Sequence, residues 1–207
     1  LQSKILFCWL LMELKKKTLS LKLAEEKKVL CLMSDSLGSN EPGLTPSGVG
    51  IEENMMRIVK DARAAVYMTA ISSSIGRFQQ MMNVAQKVGR KVVLVGRSIQ
   101  SKVEIAYNLG YLKYLPSQMV DLKDSKHHRS NQIMYIIAGC YGQVGSSVYR
   151  LALGEHERVE IKPGDTFVFS ADPGPAYSKE SEDVIVDELI DKGADVHYYD
   201  LREGLHV

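Results

Sequence analysis

Short apolar runs alternate with amphipathic helical segments along most of this 207-residue sequence, and this alternation constrains the fold more than any other feature. Runs such as V-V-L-V at 92–95 and I-M-Y-I-I-A at 133–138 are apolar throughout. Strands of a parallel sheet have this character because both of their faces are covered. The sequence therefore predicts an α/β fold, with a parallel sheet and helices on both faces.

The predicted elements follow from apolar spacing and from the residues that interrupt it. Helices are predicted at 51–62, 75–88, 99–109, 146–153 and 179–192, and strands at 29–34, 64–70, 91–96, 133–139, 166–170 and 195–199. Gly89, Gly110 and Gly193 each follow a helix and are predicted to cap it. The apolar and Lys/Glu-rich segment 1–28 is predicted to be helical, and 115–131 to be an exposed loop.

Composition limits the classes of function. The chain has 26 Lys and Arg against 25 Asp and Glu, so its net charge of +1 does not by itself indicate a nucleic-acid partner. Any such binding needs a local basic patch. The three widely spaced cysteines suit a reducing cytoplasm and form no zinc ribbon. The apolar run 5–12 is too short to span a membrane and is expected to be a buried helix or strand. Because the chain begins with Leu, we expect its true start to lie upstream.

Three strand-to-helix junctions are rich in small polar residues: 72–74, 96–98 and 139–147. Glycines allow close approach to a phosphate, free N–H groups at a helix start favour an anion, and Arg97 adds a fork suited to phosphate. At any one junction, glycine and serine can equally serve as turn and cap residues. Three junctions at one sheet edge favour an anion groove, because ligands of such sheets bind beyond the strands' carboxyl ends.

A basic stretch lies around the second junction and is followed by two tyrosines. Its members are Lys87, Arg90, Lys91, Arg97 and Lys102, with Tyr107 and Tyr111 after them. RNA-binding surfaces combine such charges with aromatic stacking. Charges at helix ends are also commonly just solvated, and the tyrosines can belong to the core. The sequence leaves both interpretations open.

Few residues offer metal-binding or acid–base chemistry. None of the five histidines (127, 128, 156, 197, 206) shows H-x-H spacing. A lone aspartate after a strand, such as Asp35, is more typical of a turn. Glu52 and Glu53 fit the acids that the helix dipole favours in a first turn.

Several long motifs together resemble one family. They are S-S-I-G-R-F-Q-Q at 73–80, G-R-S at 96–98, V-E-I-A-Y-N-L-G-Y at 103–111, A-G-C-Y-G-Q at 138–143, R-L-A-L-G-E-H at 150–156, K-P-G-D-T at 162–166 and G-A-D-V at 193–196. Over roughly 21–207 the chain resembles the bacterial ribonuclease J family of metal-dependent nucleases. In that family a β-CASP domain is inserted into a metallo-β-lactamase fold, and RNA runs between the two.

The resemblance implies a division of the chain. Residues 1–47 would be a partial metallo-β-lactamase segment, 48–199 the β-CASP domain, and 200–207 the lead-in to a missing C-terminal lactamase part. Departures are present as well. Ser74 and Gly76 replace the family's Asn and His, and A-G-C-Y-G-Q replaces T-G-S-Q-G-E, so the fine positioning of RNA is expected to differ.

The resemblance also implies site residues. Asp35 would be a metal ligand, and Glu53 and His206 would support catalysis. Together with the junctions, it predicts that RNA phosphates are contacted by Ser72, Ser73, Ser74, Arg77, Gly96, Arg97, Ser98, Gly139, Cys140, Gly142 and Ser146. The intact family enzyme uses zinc or manganese. Its H-x-H-x-D-H motif is absent from these 207 residues, so no complete metal site is expected in this chain.

The sequence therefore predicts the RNA-gripping portion of a ribonuclease J-like RNA phosphodiester hydrolase, acting in RNA processing or decay and not catalytic as an isolated chain. Expected partners are RNA and either the missing lactamase half or a second copy, in the cytoplasm and without a membrane. The alternative is a stand-alone, non-catalytic RNA-binding or subunit-interaction module. The genomic DNA on both sides of the reading frame distinguishes the two.

Overall fold

The computed structural model describes residues 5–7, 31–33, 49–171 and 179–198. The chain divides into two compact units, Leu1–Thr45 and Pro46–Val207. This division does not test the domain boundaries predicted after residues 47 and 199, which stay predictions.

In the first unit, strand β1 (Ile5–Phe7) pairs in parallel with strand β2 (Cys31–Met33). The strand predicted at 29–34 is confirmed at β2. For the apolar run 5–12 the sequence leaves a buried helix or a buried strand open, and residues 5–7 form a strand. The helical prediction for 1–28 therefore fails at β1, because a short apolar run has no periodicity that separates the two.

The second unit alternates helices and strands in the predicted order. Its helices are α1 (Val49–Asp61), α2 (Ile75–Val88), α3 (Arg97–Asn108), α4 (Ser147–Ala152) and α5 (Lys179–Asp191). Its strands are β3 (Val66–Thr69), β4 (Lys91–Val95), β5 (Ile133–Ile137), β6 (Thr166–Phe169) and β7 (Asp195–His197). No bound differs from its prediction by more than two residues. The three predicted cap glycines all have positive φ. None of the helices in the described ranges is long and apolar enough to cross a membrane.

The strands of this unit form one parallel sheet in the order β4-β5-β3-β6-β7. β3 lies at its centre, where Val66 pairs with Met134 of β5 on one side and with Thr166 of β6 on the other. The predicted α/β fold with a parallel sheet is therefore confirmed.

Helices cover both faces of the sheet, because side chains along each strand alternate between the two faces. Met68 of β3 belongs to a core with α1, α2 and α3, which we call the first layer. Tyr67, its neighbour in β3, belongs to a core with α4 and α5, the second layer. The strands are buried on both sides, which explains why their sequences are apolar throughout.

The segment predicted as an exposed loop at 115–131 is only partly one. Gln118 is buried, and its Nε2 donates to the Met82 carbonyl oxygen at 2.8 Å. Met119 forms an isolated parallel bridge with Val92 of β4. The segment thus packs along the β4 edge of the sheet, an association between residues distant in sequence that local composition does not reveal.

Candidate nucleic-acid interface

The carboxyl ends of β3 and β5 lie side by side, and the chain leaves them in opposite directions. From β3 it passes through α2 in the first layer to β4, at one edge of the sheet. From β5 it passes through α4 in the second layer to β6, on the far side of β3. Ligands of parallel α/β sheets bind in the crevice that such a divergence creates.

A cleft of about 860 Å³ opens at this point. All three junctions predicted to form an anion groove contribute to it, because they follow the neighbouring strands β4, β5 and β3. Seven of the predicted phosphate-contacting residues line the cleft: Ser72, Gly96, Arg97, Ser98, Gly139, Cys140 and Ser146.

Gly96 allows the β4–α3 junction to pass close to the end of β5. Its φ of 117° lies in a region that residues with a side chain rarely adopt. A Cβ at this position would lie 2.8 Å from Ala138 Cβ and 3.0 Å from Ser147 Oγ. Arg97 and Ser98 follow in the first turn of α3, and both are exposed. The first N–H groups of a helix have no intrahelical partner and favour an anion, so this junction suits phosphate.

The β5–α4 junction is tightly folded around its own residues. Gly139 has a φ of 112°, and a Cβ there would collide with the Ser146 side chain. Ser146 is the N-cap of α4, and its Oγ accepts the Tyr149 N–H at 3.2 Å. This hydroxyl oxygen already caps the helix, so we assign Ser146 a structural role in the cleft wall rather than a role as a free acceptor. Cys140 is buried in the same wall.

Ser72, at the end of the β3–α2 junction nearest the strand, is held by a cation from another element. Lys102 Nζ of α3 donates to Ser72 Oγ at 2.6 Å. An ammonium group can only donate, so the serine oxygen accepts and its own O–H remains available to donate. The contact ties the β3–α2 junction to α3, the helix that follows the β4 junction.

Four predicted residues do not line the cleft. Ser73 and Ser74 form the turn that starts α2, where Ser74 N donates to Ile71 O at 2.9 Å. Arg77 is half-buried and has an interaction within the chain. Gly142 lies against α5, where a Cβ would come within 2.8 Å of the Ser181 carbonyl oxygen. Their assignment as RNA contacts stays a prediction.

The opposite wall was missed by sequence reasoning. It is formed by Arg150 of α4 and by His156, Glu157 and Arg158, which follow that helix. A signal was present, since the R-L-A-L-G-E-H motif starts at Arg150 and ends at His156. The motif indicated the family but not a role, because only the packing of α4 shows that its ends return to the cleft.

The basic stretch around the second junction does not form one surface. Arg90 is buried, and its guanidinium donates to the carbonyl oxygens of Ala62 at 2.7 Å, Ala64 at 2.8 Å and Ile133 at 3.1 Å. Burial lowers the pKa of Arg90 from its ordinary value. Of the five cations, Arg97 alone lines the cleft.

The other members of the stretch have local partners. Lys87 pairs with Glu52 at 2.7 Å, and Lys91 Nζ donates to the Ser117 carbonyl oxygen at 2.8 Å. The Tyr107 ring packs on Tyr114, with centroids 4.4 Å apart. Arg90 is buried at the amino end of β4, whereas Arg97 lies just beyond its carboxyl end. The charges of the stretch are therefore dispersed over the fold, and an RNA-binding role for the stretch as a whole stays a prediction.

The residues predicted to support catalysis are placed as follows. Glu53 is exposed on α1, whereas its neighbour Glu52 is half-buried between Lys87 and Asn83, whose amide donates at 3.0 Å. Burial by itself would raise the pKa of Glu52, but the hydrogen bonds from Lys87 and Asn83 and the lysine charge lower it below its usual value. Glu52 thus links α1 to α2, and a catalytic role for Glu53 stays a prediction. Asp35 and His206 lie outside the described residues.

The metal centre that the resemblance implies does not form within the described part of the chain. No three His, Cys, Asp or Glu side chains of that part come together in a group that could hold a metal ion. A two-metal hydrolase needs several such ligands around ions about 3.5–4 Å apart. The described residues therefore do not fit that centre.

A five-stranded parallel sheet with helices on both faces is consistent with a β-CASP domain. A family model for the ribonuclease J β-CASP domain matches residues 63–189. The most similar relatives include three proteins named Ribonuclease J. That of Synechocystis sp. is 37% identical over 182 residues, that of Helicobacter pylori 34% over 183, and that of Thermus thermophilus 35% over 170. The chain belongs to the ribonuclease J family.

The matched regions cover 88%, 88% and 82% of this chain. They cover only 28%, 26% and 29% of the three relatives. The chain therefore spans between a quarter and a third of the length of these relatives. The ribonuclease J family is metal-dependent in general.

Proposed function

We propose that this chain is the RNA-gripping portion of a ribonuclease J-like RNA phosphodiester hydrolase that works in RNA processing or decay in the cytoplasm. One observation carries the proposal: Arg97, Arg150 and Arg158 line a single cleft at the switch point of the sheet, against one carboxylate, Glu157. A chain with a net charge of +1 thus concentrates positive charge where an α/β sheet binds its ligands.

In this proposal, the first turn of α3 binds a phosphate. Gly96 lets the junction pack against the end of β5. The orphan N–H groups of the helix favour an anion, and the exposed Arg97 adds a bidentate donor. Ser72 contributes a hydroxyl whose oxygen is already held by Lys102. Such contacts recognise the phosphate backbone rather than the bases, so we expect weak sequence preference.

Binding of single-stranded RNA by the full chain tests this proposal. In fluorescence anisotropy with a labelled ten-nucleotide oligoadenylate, Arg97→Ala should weaken binding roughly tenfold, as expected for one charge-assisted contact. The slope of log affinity against log salt should fall by about 0.7. The control is Arg63→Ala, because exposed Arg63 precedes β3 and lies at the opposite end of the strands. Unchanged affinity and slope in Arg97→Ala would contradict the proposal.

We further propose that residues 1–47 and 200–207 belong to the lactamase part of an enzyme that uses zinc or manganese, with Asp35 as one ligand. On this view the isolated chain does not cut RNA, and it gains activity only with the rest of the lactamase half. The assay is degradation of labelled RNA by the purified chain with added zinc or manganese. Chelator-sensitive turnover that persists in Asp35→Ala would contradict this placement.

A further inference from the structure

The wall of the cleft opposite α3 carries an arginine with one unsatisfied nitrogen. Arg150 is half-buried on α4 and lines the cleft. Its Nε is fully buried and has no hydrogen-bond partner among the described residues. A buried donor without a partner is costly, and such groups are commonly satisfied by a ligand, an ion or water. Because Nε is itself enclosed, a phosphate would meet Arg150 through the part of its side chain that lines the cleft.

His156, on the same wall, is oriented by the backbone. Its Nδ1 accepts the N–H groups of Val159 at 3.2 Å and Arg158 at 3.4 Å. The proton of the neutral ring therefore resides on Nε2, which leaves that edge as a donor. Burial lowers the pKa of His156 below its ordinary value, and the positive charges of Arg150 and Arg158 lower it as well. The negative charge of Glu157 acts in the opposite direction. At neutral pH the ring is an uncharged donor with a defined orientation.

Arg158 completes this wall with an exposed guanidinium. The two positive charges of Arg150 and Arg158 exceed the one negative charge of Glu157. This wall therefore carries net positive charge even without Arg97. The cleft volume of about 860 Å³ lies in the upper part of the range for pockets that enclose a drug-sized ligand. It is more space than one phosphate group needs, and each side of it presents its own set of phosphate donors.

We propose that Arg150, His156 and Arg158 form a second phosphate subsite, so that the cleft holds two consecutive phosphates of one ribonucleotide strand. The first turn of α3 binds one phosphate, and this wall binds the next. Guanidinium donors and the Nε2–H of His156 suit the two unesterified oxygens of a phosphodiester. The inference rests on the proposed function, because it assumes that RNA occupies the cleft.

The test compares ligands with one and two phosphates. Adenosine 5′-monophosphate and the 5′-phosphorylated dinucleotide pApA compete with a labelled ten-nucleotide oligoadenylate for the full chain. The dinucleotide should compete at least roughly tenfold better on the parent protein, since it engages both subsites. Arg158→Ala should remove this advantage without changing competition by the mononucleotide. Arg63→Ala, the charge-matched control at the other end of the strands, should retain it.

The variant His156→Asn tests whether His156 contributes to phosphate binding independently of its contribution to stability. Asparagine places an acceptor oxygen near the position of Nδ1, so the bonds from Arg158 and Val159 can persist while the Nε2–H is lost. This variant should unfold at the same urea concentration as the parent and should lose part of the dinucleotide advantage.

The outcomes distinguish the two proposals. If Arg97→Ala weakens oligoadenylate binding while Arg158→Ala and His156→Asn keep the full dinucleotide advantage, the second subsite is wrong and the proposed function stands. The second subsite is also wrong if pApA competes no better than the mononucleotide on the parent, or if Arg63→Ala removes the advantage as well. If the chain does not bind oligoadenylate, the proposed function fails and the second subsite fails with it.

Discussion

Arg90 and Arg97 belong to the same basic stretch, and the structure predicts opposite consequences for their loss. Arg90 lies just before β4, and its guanidinium donates to carbonyl oxygens of the segment before β3 and of the first residue of β5. It therefore joins the amino ends of three neighbouring strands. We predict that Arg90→Met destabilises the whole domain and leaves RNA binding by the folded protein unchanged.

The magnitude follows from the three bonds. A hydrogen bond to a charged group contributes about 1.5–3 kcal/mol, and losing the donor leaves buried carbonyl groups unsatisfied. Methionine retains most of the buried aliphatic stem, and water reaches some of the freed carbonyls, so the low end of each range applies. We expect the free energy of unfolding to fall by about 3–5 kcal/mol. For a chain of this length, Tm should fall by about 2–4 °C for each of these kcal/mol.

Urea unfolding of the full chain, followed by circular dichroism, measures this change, and oligoadenylate anisotropy in the absence of urea measures binding. The matched control is Arg97→Met, an exposed arginine whose loss should change stability by no more than about 0.5 kcal/mol while weakening RNA binding. A loss of less than about 1 kcal/mol in Arg90→Met would refute the reasoning. Reduced RNA affinity at unchanged stability would refute it as well.

Three further predictions concern the cleft and its supports. In urea unfolding, Gly96→Ala should lower the free energy of unfolding by about 2–4 kcal/mol, because alanine is strained at this φ and its Cβ overlaps the β5 junction. The same variant should weaken RNA binding. The control is Gly110→Ala, which has open space around it and should lower the free energy of unfolding by only about 1 kcal/mol. If Lys102 acts by holding Ser72, then Lys102→Met and Ser72→Ala should weaken RNA binding non-additively in a double-mutant cycle, and full additivity would contradict this role. Because the pKa of Glu52 is lowered from 4.5, its contribution to stability is present above that pH and is lost as the pH falls through the lower folded value. The difference in urea midpoint between the parent and Glu52→Gln should therefore shrink below pH 4.5, and a constant difference would argue against the Lys87 and Asn83 contacts.

The site could be predicted from the sequence only in part. The G-R-S motif at 96–98 indicated a phosphate site, because glycine followed by arginine at a helix start has a local physical meaning. Ser73 and Arg77 had equally suggestive motifs, yet they lie outside the lining of the cleft. Arg158 had no local signal at all, since its relation to Arg97 depends on how α4 packs against the sheet.

The basic stretch also shows that sequence alone does not assign roles to individual residues. Arg90 and Arg97 are seven positions apart and chemically identical, but one lies at the amino end of β4 and the other just beyond its carboxyl end. A strand of five residues therefore separates a structural arginine from one that lines the cleft.

The sequence alone determined the helices and strands of the second unit, their order and the parallel sheet, because apolar periodicity, strand runs and cap glycines act over a few residues. Only the tertiary structure decided which junctions meet, because the order β4-β5-β3-β6-β7 arises from packing between residues far apart in the chain. That order brings Arg97 to one wall of the cleft and Arg150 and Arg158, more than fifty residues later in the sequence, to the other.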